Sequence, residues 1–361
     1  MSGKQHPYKA LSEKAFWRRS VAGVAPGAVD PVGRFALRIT KATKVATAGS
    51  CFAQHIARHL SALGFNYLVT EPGHPILTET VRARNNYGLF SARYGNIYTA
   101  RQLGQLFKRA HGTFVPREDC WIEEDGTVRD PFRPTSQPGG FLSQDEMRLD
   151  RRQHLAAVRR MFADLDVFVF TLGLTECWAS RIDGAVFPLC PGVEGGQFDP
   201  DRHVYVNQTV EDVIVDLSDF VLGLKAVNPR AEVVLTVSPV PLAATAEAQA
   251  HVLSATTYSK SVLRVAAEML TKRFANVHYF PSYEIITGAH ARGSYFAEDL
   301  RSVTESGVSH VMTMFTRHAT DYDPAEVTVV APVAPKVGTL SLAEQVVQVE
   351  CDEALLDRQT R

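Results

Sequence analysis

No stretch of this chain approaches the roughly eighteen consecutive apolar residues that a membrane-spanning helix requires, and its opening residues Met1-Ser-Gly-Lys-Gln-His-Pro7 hold no apolar run of the kind an export signal carries. A protein without a membrane span, working in the cytoplasm, is therefore expected. Cysteine is scarce and odd in number, five residues among 361, and no two stand in a CxxC spacing. That pattern argues against a disulfide framework and a cysteine-built zinc site, so neither metal nor other cofactor is expected. Long basic runs are missing as well. With 38 Lys and Arg against 39 Asp and Glu the net charge is −1, and no aromatic-basic interleaving appears, which argues against nucleic acid as a partner. Internal repeats and low-complexity tracts are absent.

Apolar and aromatic residues make up 45% of the chain, too many for a disordered protein and enough for a large core. Short apolar runs alternate with segments of helical period. Lys44-Val-Ala-Thr-Ala48, Asp166-Val-Phe-Val-Phe-Thr-Leu172, Glu232 to Ser238 and Val277 to Ile286 read as strands buried on both faces. Phe52 to Phe65, Thr99 to His111, Ser143 to Leu165, Val210 to Val227 and Thr245 to Phe274, the last as one long helix or a broken pair, read as the helices between them, with a capping pair Ser143 and Glu146 and a stop at Asn228-Pro229. The fold class expected is α/β, a three-layer α/β/α doubly wound parallel sheet over residues 41–320. An N-terminal arm (1–40), with a short helix from Tyr8 to Arg19, crosses its surface. Polar, Gly- and Pro-rich insertions fall near 112–140 and 181–207, and a tail (321–361) ends in a segment, Leu342 to Leu356, whose pattern suits helix or strand.

The chain is organised around the turn after the first strand. Gly49 supplies a tight turn, and Phe52, Ile56, Leu60 and Leu63 then recur at helical steps, so Ser50 and Cys51 sit where a strand hands over to a helix N-terminus. Such a terminus favours negative charge and lowers a cysteine pKa, which makes Cys51 the best candidate for a reactive thiol. The plain alternative is that Ser50 caps the helix and Cys51 is a small buried hydrophobe. Elsewhere, Lys260 and Arg264 share a helical face that suits an acyl carboxylate or phosphate, or simply solvent.

Gly49-Ser-Cys-Phe-Ala53 resembles the signature of the GSCFA family. So do Asn86-Tyr-Gly-Leu-Phe-Ser-Ala-Arg93, Thr171-Leu-Gly-Leu-Thr-Glu-Cys-Trp178, Thr236-Val-Ser-Pro-Val-Pro241 and Arg301-Ser-Val-Thr-Glu-Ser-Gly-Val308, so that the likeness covers about residues 8–318. The resemblance implies a relation to SGNH or GDSL-like hydrolases, an SGNH-hydrolase-like fold, and a nucleophile directly after the first strand. Aligning Gly-Ser-Cys-Phe on Gly-Asp-Ser-Leu puts Cys51 on the catalytic serine and Ser50 on the aspartate before it. One oxyanion donor would come from a glycine N–H, Gly88 or Gly95, with Asn86 beside Gly88. In the block Gly173-Leu-Thr-Glu176, Thr175 stands where the family relation has asparagine, and Glu176 follows. Asp299 keeps the spacing of the terminal Asp-x-x-His block, but Ser302 occupies the histidine position.

Without a histidine there, the usual relay cannot be assembled from that block. The base candidates elsewhere are His55, one helical turn beyond Cys51, and His310, which on the final helix capped by Thr304 reads first as a surface or packing residue; His74 reads as a turn residue. The implied function is hydrolysis or acyl transfer on an ester or thioester through an acyl-enzyme, with a small-molecule acyl or acylated-carbohydrate substrate as partner. The alternatives are a ligand-binding protein that has lost turnover and a low-pKa redox sensor, the latter without a nearby resolving cysteine.

Overall fold

The computed structural model describes residues 6–50 and 52–322. In chain order its elements are β1 (Val45–Gly49), α1 (Phe52–Ala62), α2 (Glu79–Arg84), α3 (Ala100–Ala110), β2 (Trp121–Ile122), β3 (Val128–Arg129), α4 (Gln144–Asp164), β4 (Val167–Leu172), β5 (Glu176–Ser180), β6 (Val186–Phe187), β7 (His203–Asn207), α5 (Val210–Val227), β8 (Glu232–Val237), α6 (Val252–Arg273), β9 (Val277–Tyr279), α7 (Ser282–Thr287) and α8 (Glu305–Ala319).

The expected strands form one parallel sheet, in the order β1-β4-β8-β9. Alternation along each strand divides the core in two. Ala46, Ala48, Phe168, Phe170, Leu172, Val233 and Leu235 face helices α3 to α6. Val45, Val167, Val169 and Val234 face α1, α7 and α8. Helices therefore cover both faces, which is why every residue of β1 and β4 is buried and why these strands read as unbroken apolar runs. On the far side of β1, Leu68 N bonds Val45 O and Val45 N bonds Asn66 O. After β1 the chain thus goes first to one side, at 66–68, and later to the other, at β4. The carboxyl end of β1 is a topological switch point, the place where open α/β sheets leave a crevice.

Several boundaries differ from expectation. The arm has no helix from Tyr8 to Arg19 but short 3-10 and π turns, and Val29, Val32 and Ile39 are buried against the α8 side of the core. Helix α6 starts at Val252 rather than Thr245, because the Thr245 hydroxyl and the Ala246 N–H are taken by the Glu176 carboxylate. The last strand is only Val277–Tyr279; Pro281 then turns the chain into α7. The predicted tail beyond Tyr322 lies outside the described residues.

The two insertions pack as one lobe. Trp121 and Phe132 from the first meet Ala185 and Phe187 from the second, and buried Glu118 accepts bonds from Trp121 Nε1 at 2.6 Å and pairs with Arg202 at 3.0 Å. A buried ionic network fastens the lobe to α4. Asp130, fully buried, pairs with Arg133 at 3.1 Å and Arg151 at 2.9 Å, while Asp150 pairs with Arg133 at 2.8 Å and Arg93 at 2.9 Å. Burial raises the Asp130 carboxyl, but Arg151, Arg133 and Arg109 outweigh it and hold the group far below the ordinary carboxylate range. Next to this network, His154 Nδ1 meets Glu71 at 2.8 Å.

Candidate active site

Gly49 takes φ +140°, and a Cβ there would lie 2.4 Å from the carbonyl oxygen of Thr171, its partner across the sheet. Only glycine lets β1 run so close to β4 and still turn. Its carbonyl accepts the Ile97 N–H at 2.9 Å, and the next residue, Tyr98, offers its carbonyl to Gly173 N at 3.0 Å and Leu174 N at 3.1 Å. The 97–98 peptide therefore clamps the turn after β1 against the turn after β4.

Ser50 follows Gly49 and is 4% exposed, with its carbonyl accepting Ala53 N as α1 begins. Its hydroxyl oxygen is buried and has no hydrogen-bond partner among the described residues. Two more buried oxygens have no partner among the described residues and lie near it in sequence or register: Thr171 Oγ1, opposite Gly49, and Gln54 Oε1 on the first turn of α1. Buried polar atoms are almost always paired, so these three are exceptions to that rule. Ser50 does not cap α1 through its side chain. Cys51 itself lies outside the described residues.

The Gly173 to Glu176 block is fixed from α6 and β7. Lys260, 2% exposed, donates from Nζ to Gly173 O at 2.5 Å, and Ser259 Oγ accepts Thr175 N at 3.0 Å. The Thr175 hydroxyl donates to Asn207 Oδ1 at 2.7 Å, so its single proton is directed there. Glu176 accepts from Thr245 Oγ1 at 2.7 Å and Ala246 N at 3.2 Å. Ser259 and Asn207 were not among the residues expected at the site, and Lys260 was expected only as half of a cationic helical face shared with Arg264. A signal existed for Lys260: it falls in step with Leu263 and Ala267, a buried helical period. Its neighbour one turn on does not join it, since Arg264 pairs with Glu284 at 2.7 Å and Glu268 at 3.1 Å. The shared cationic face is thus split between core and surface.

The remaining candidates lie on two other stretches of the chain or farther along α1. Asn86, at φ +60°, spends its amide on Thr135 O at 3.2 Å in the inserted lobe, and Gly88, at φ +76°, lies in the same loop; Gly95, at φ +69°, stands two residues before the Ile97 clamp. On the α1 and α8 side, Asp299 accepts bonds from Arg301 N, Ser302 N and, at 2.6 Å, the Ser302 hydroxyl. The Ser302 bond comes first among the causes that hold the Asp299 carboxyl below its ordinary value. His55 lies beside Phe52, its proton affinity lowered by burial and by Arg58 against the opposing charge of Glu305, the first residue of α8. His310 is a fastener: Tyr295 OH meets its Nδ1 at 2.8 Å and its Nε2 meets Val29 O at 3.1 Å, tying the arm to α8. His74 accepts Ile76 N in its own turn.

A family model described as the GSCFA family matches residues 44–315. The chain belongs to the GSCFA family. The GSCFA signature is therefore the turn at the switch point, and of the other family-like blocks Thr171 to Trp178 supplies the Gly173 turn and Arg301 to Val308 opens on the turn that Asp299 closes. No curated protein matches the sequence. Among solved structures, a crystal structure of an acetyl esterase mutant with an acetate ion is similar at 10% identity and a TM-score of 0.36, covering 76% of this chain and 95% of that one. So distant a likeness does not bear on the chemistry of the GSCFA chain. Among the described residues, no helix is long and apolar enough to cross a membrane.

Proposed function

We propose that this GSCFA protein is an SGNH-like hydrolase or acyltransferase that acts on an ester or thioester through an acyl-enzyme at Cys51. The observation that carries the reading is the turn at the switch point, where Gly49 is forced against Thr171 and the Ser50 hydroxyl is buried without a partner among the described residues. In the proposed reaction the Cys51 thiolate adds to the acyl carbonyl carbon. A carbon–sulfur bond forms, the bond to the leaving alcohol or thiol breaks, and the leaving group takes up a proton. Water or an acceptor hydroxyl then attacks the thioester, and Cys51 is released.

Cysteine suits this site better than serine because a thiol is partly ionised near neutral pH and gains from a helix N-terminus. His55, kept short of protons by burial and Arg58, is the base assigned to take the proton of the Cys51 thiol, to return it to the leaving group, and then to take a proton from the water or acceptor hydroxyl of the second attack and return it to the departing Cys51 sulfur. The Cys51 N–H, with Gly88 from the second block, is assigned to the developing oxyanion. Thr175 joins them only by turning its hydroxyl from Asn207. The inserted lobe beside the site would exclude water, which favours acyl transfer over hydrolysis.

A second reading has one observation in its favour. Ser302 occupies the Asp299 carboxylate oxygen at 2.6 Å, so the terminal block is closed on itself, as it would be in a ligand-binding protein that no longer turns over. Incubation with acetyl and longer acyl esters and thioesters separates the two. Turnover that disappears in Cys51→Ala supports the enzyme; ligand binding without turnover by the intact chain rejects it.

A further inference from the structure

Beside the Gly173 turn the inserted sheet and the segment after β8 enclose a cavity of about 310 Å³. Tyr98, Leu174, Trp178, Leu189, Leu242 and Ala244 are among the residues that line it. Tyr98 and Leu174 are the residues of the backbone clamp between the two turns, so the cavity begins where the proposed reaction centre ends. We propose that this cavity is the acyl-chain site of the proposed reaction and takes a medium-length, unbranched apolar acyl group.

The lining chooses among occupants. Its one charged group is Glu176, and both carboxylate oxygens accept bonds from the wall itself, Thr245 Oγ1 at 2.7 Å and Ala246 N at 3.2 Å. The charge is thus directed into the protein rather than toward a guest. Burial pushes the lining thiols Cys177 and Cys190 up to about 12 and about 11, so at neutral pH both are uncharged. Apart from the phenol of Tyr205, what remains of the lining is aliphatic and aromatic, which suits a hydrocarbon chain better than a sugar, most of whose hydroxyls would be left without partners. Size sets the length. At about 30 Å³ for each water-sized unit the volume holds roughly ten such units, which fits an acyl chain on the order of eight carbons and leaves a long-chain fatty acyl group projecting into solvent.

The proposal rests on the acyl-transfer reading above but can be tested apart from it. Two measurements are made on the full chain and on Ala244→Trp, which replaces a lining methyl of the cavity with an indole. The first is kcat/KM for octanoyl against acetyl p-nitrophenyl esters. The second is calorimetric titration with octanamide, a neutral probe that cannot turn over, repeated on Cys51→Ala. Expected are a preference for octanoyl of at least about tenfold, equal to about 1.4 kcal/mol, its loss in Ala244→Trp, and saturable octanamide binding that survives Cys51→Ala but not Ala244→Trp. Acetyl and octanoyl turnover at equal rates, or octanamide binding indifferent to Ala244→Trp, overturns the acyl-chain site while leaving the hydrolase reading intact. Octanamide binding blocked by Ala244→Trp, in a protein that turns over no ester at all, does the reverse: the chain site stands and the hydrolase reading falls.

Discussion

Replacing Gly49 with alanine tests whether the turn is as constrained as its geometry says. Two costs add. A residue with a side chain at φ +140° is in a region almost confined to glycine, for about 1–3 kcal/mol. The new methyl would also stand 2.4 Å from Thr171 O, 2.7 Å from its Cβ and 2.9 Å from its N, all on a strand at the centre of the sheet. Relieving that contact means moving β4, at a further cost of about 1–3 kcal/mol. The sum, about 2–6 kcal/mol, is a large part of a typical stability of about 5–15 kcal/mol and corresponds to a fall in Tm of roughly 5–20 °C. Two other glycines calibrate the result. At Gly88 the φ is +76° but no atom lies within 4 Å of the added Cβ, so Gly88→Ala bears only the dihedral cost, about 1–2 kcal/mol. At Gly173 the φ is ordinary and the nearest contact is Tyr98 O at 3.0 Å, for about 1 kcal/mol. Urea unfolding of the three variants should rank Gly49→Ala clearly last. If Gly49→Ala and Gly88→Ala unfold at the same midpoint, the close approach of β1 to β4 is not what holds glycine there.

Removing the Asp130 carboxylate with Asp130→Ala strands Arg133 and Arg151 in the interior and should cost about 3–5 kcal/mol in denaturant unfolding; a loss under about 1 kcal/mol contradicts the network as the lobe's anchor. Burial and the charge of Arg133 lower His154 from the ordinary 6.5 to about 4. Burial raises Glu71, but His154 and Arg133 outweigh it and hold that carboxyl at about 2 against an ordinary 4.5. Both groups bind protons less readily folded than unfolded, so the His154 contribution is complete above pH 6.5 and fades toward pH 4, while that of Glu71 fades from pH 4.5 toward pH 2. His154→Gln should flatten the stability profile between pH 6.5 and 4 and keep the loss below it; an unchanged slope in that window refutes the assignment. Lys260→Met gives up a charge-assisted bond worth about 1.5–3 kcal/mol but no longer buries an ammonium, so its unfolding midpoint should barely move while turnover drops with the loosened Gly173 turn. A large destabilisation with full turnover of the folded protein speaks against that role.

The parallel sheet was legible because its strands are buried on both faces and so carry continuous apolar runs, as Val167–Leu172 does. The glycine turn was legible for a related reason: a short apolar run, one glycine and a helical period leave a single place for the bend. Other parts of the site depend on long-range pairing that no local pattern records. Thr175 reads as a free donor until Asn207, on a strand of the insertion, is seen to accept its proton. Thr245 reads as the start of a helix, but its hydroxyl belongs to Glu176 and the helix begins at Val252. His310 and Val29, far apart in the chain, meet at 3.1 Å because the arm folds back over α8, so a histidine that read as a packing residue, or less readily as a base, ties the arm down, and its partner was not visible in the sequence.

The central claim is covalent chemistry at the Gly-Ser-Cys turn, and the most direct measurement is peptide mass spectrometry of the protein quenched in acid during turnover of a slow thioester or ester. An acyl group on the Gly49-to-Arg58 segment that fragments to Cys51, absent from Cys51→Ala and retained in Ser50→Ala with part of the activity, is the predicted result. An adduct on Ser50, or steady turnover by Cys51→Ala at near-native rate, contradicts the account.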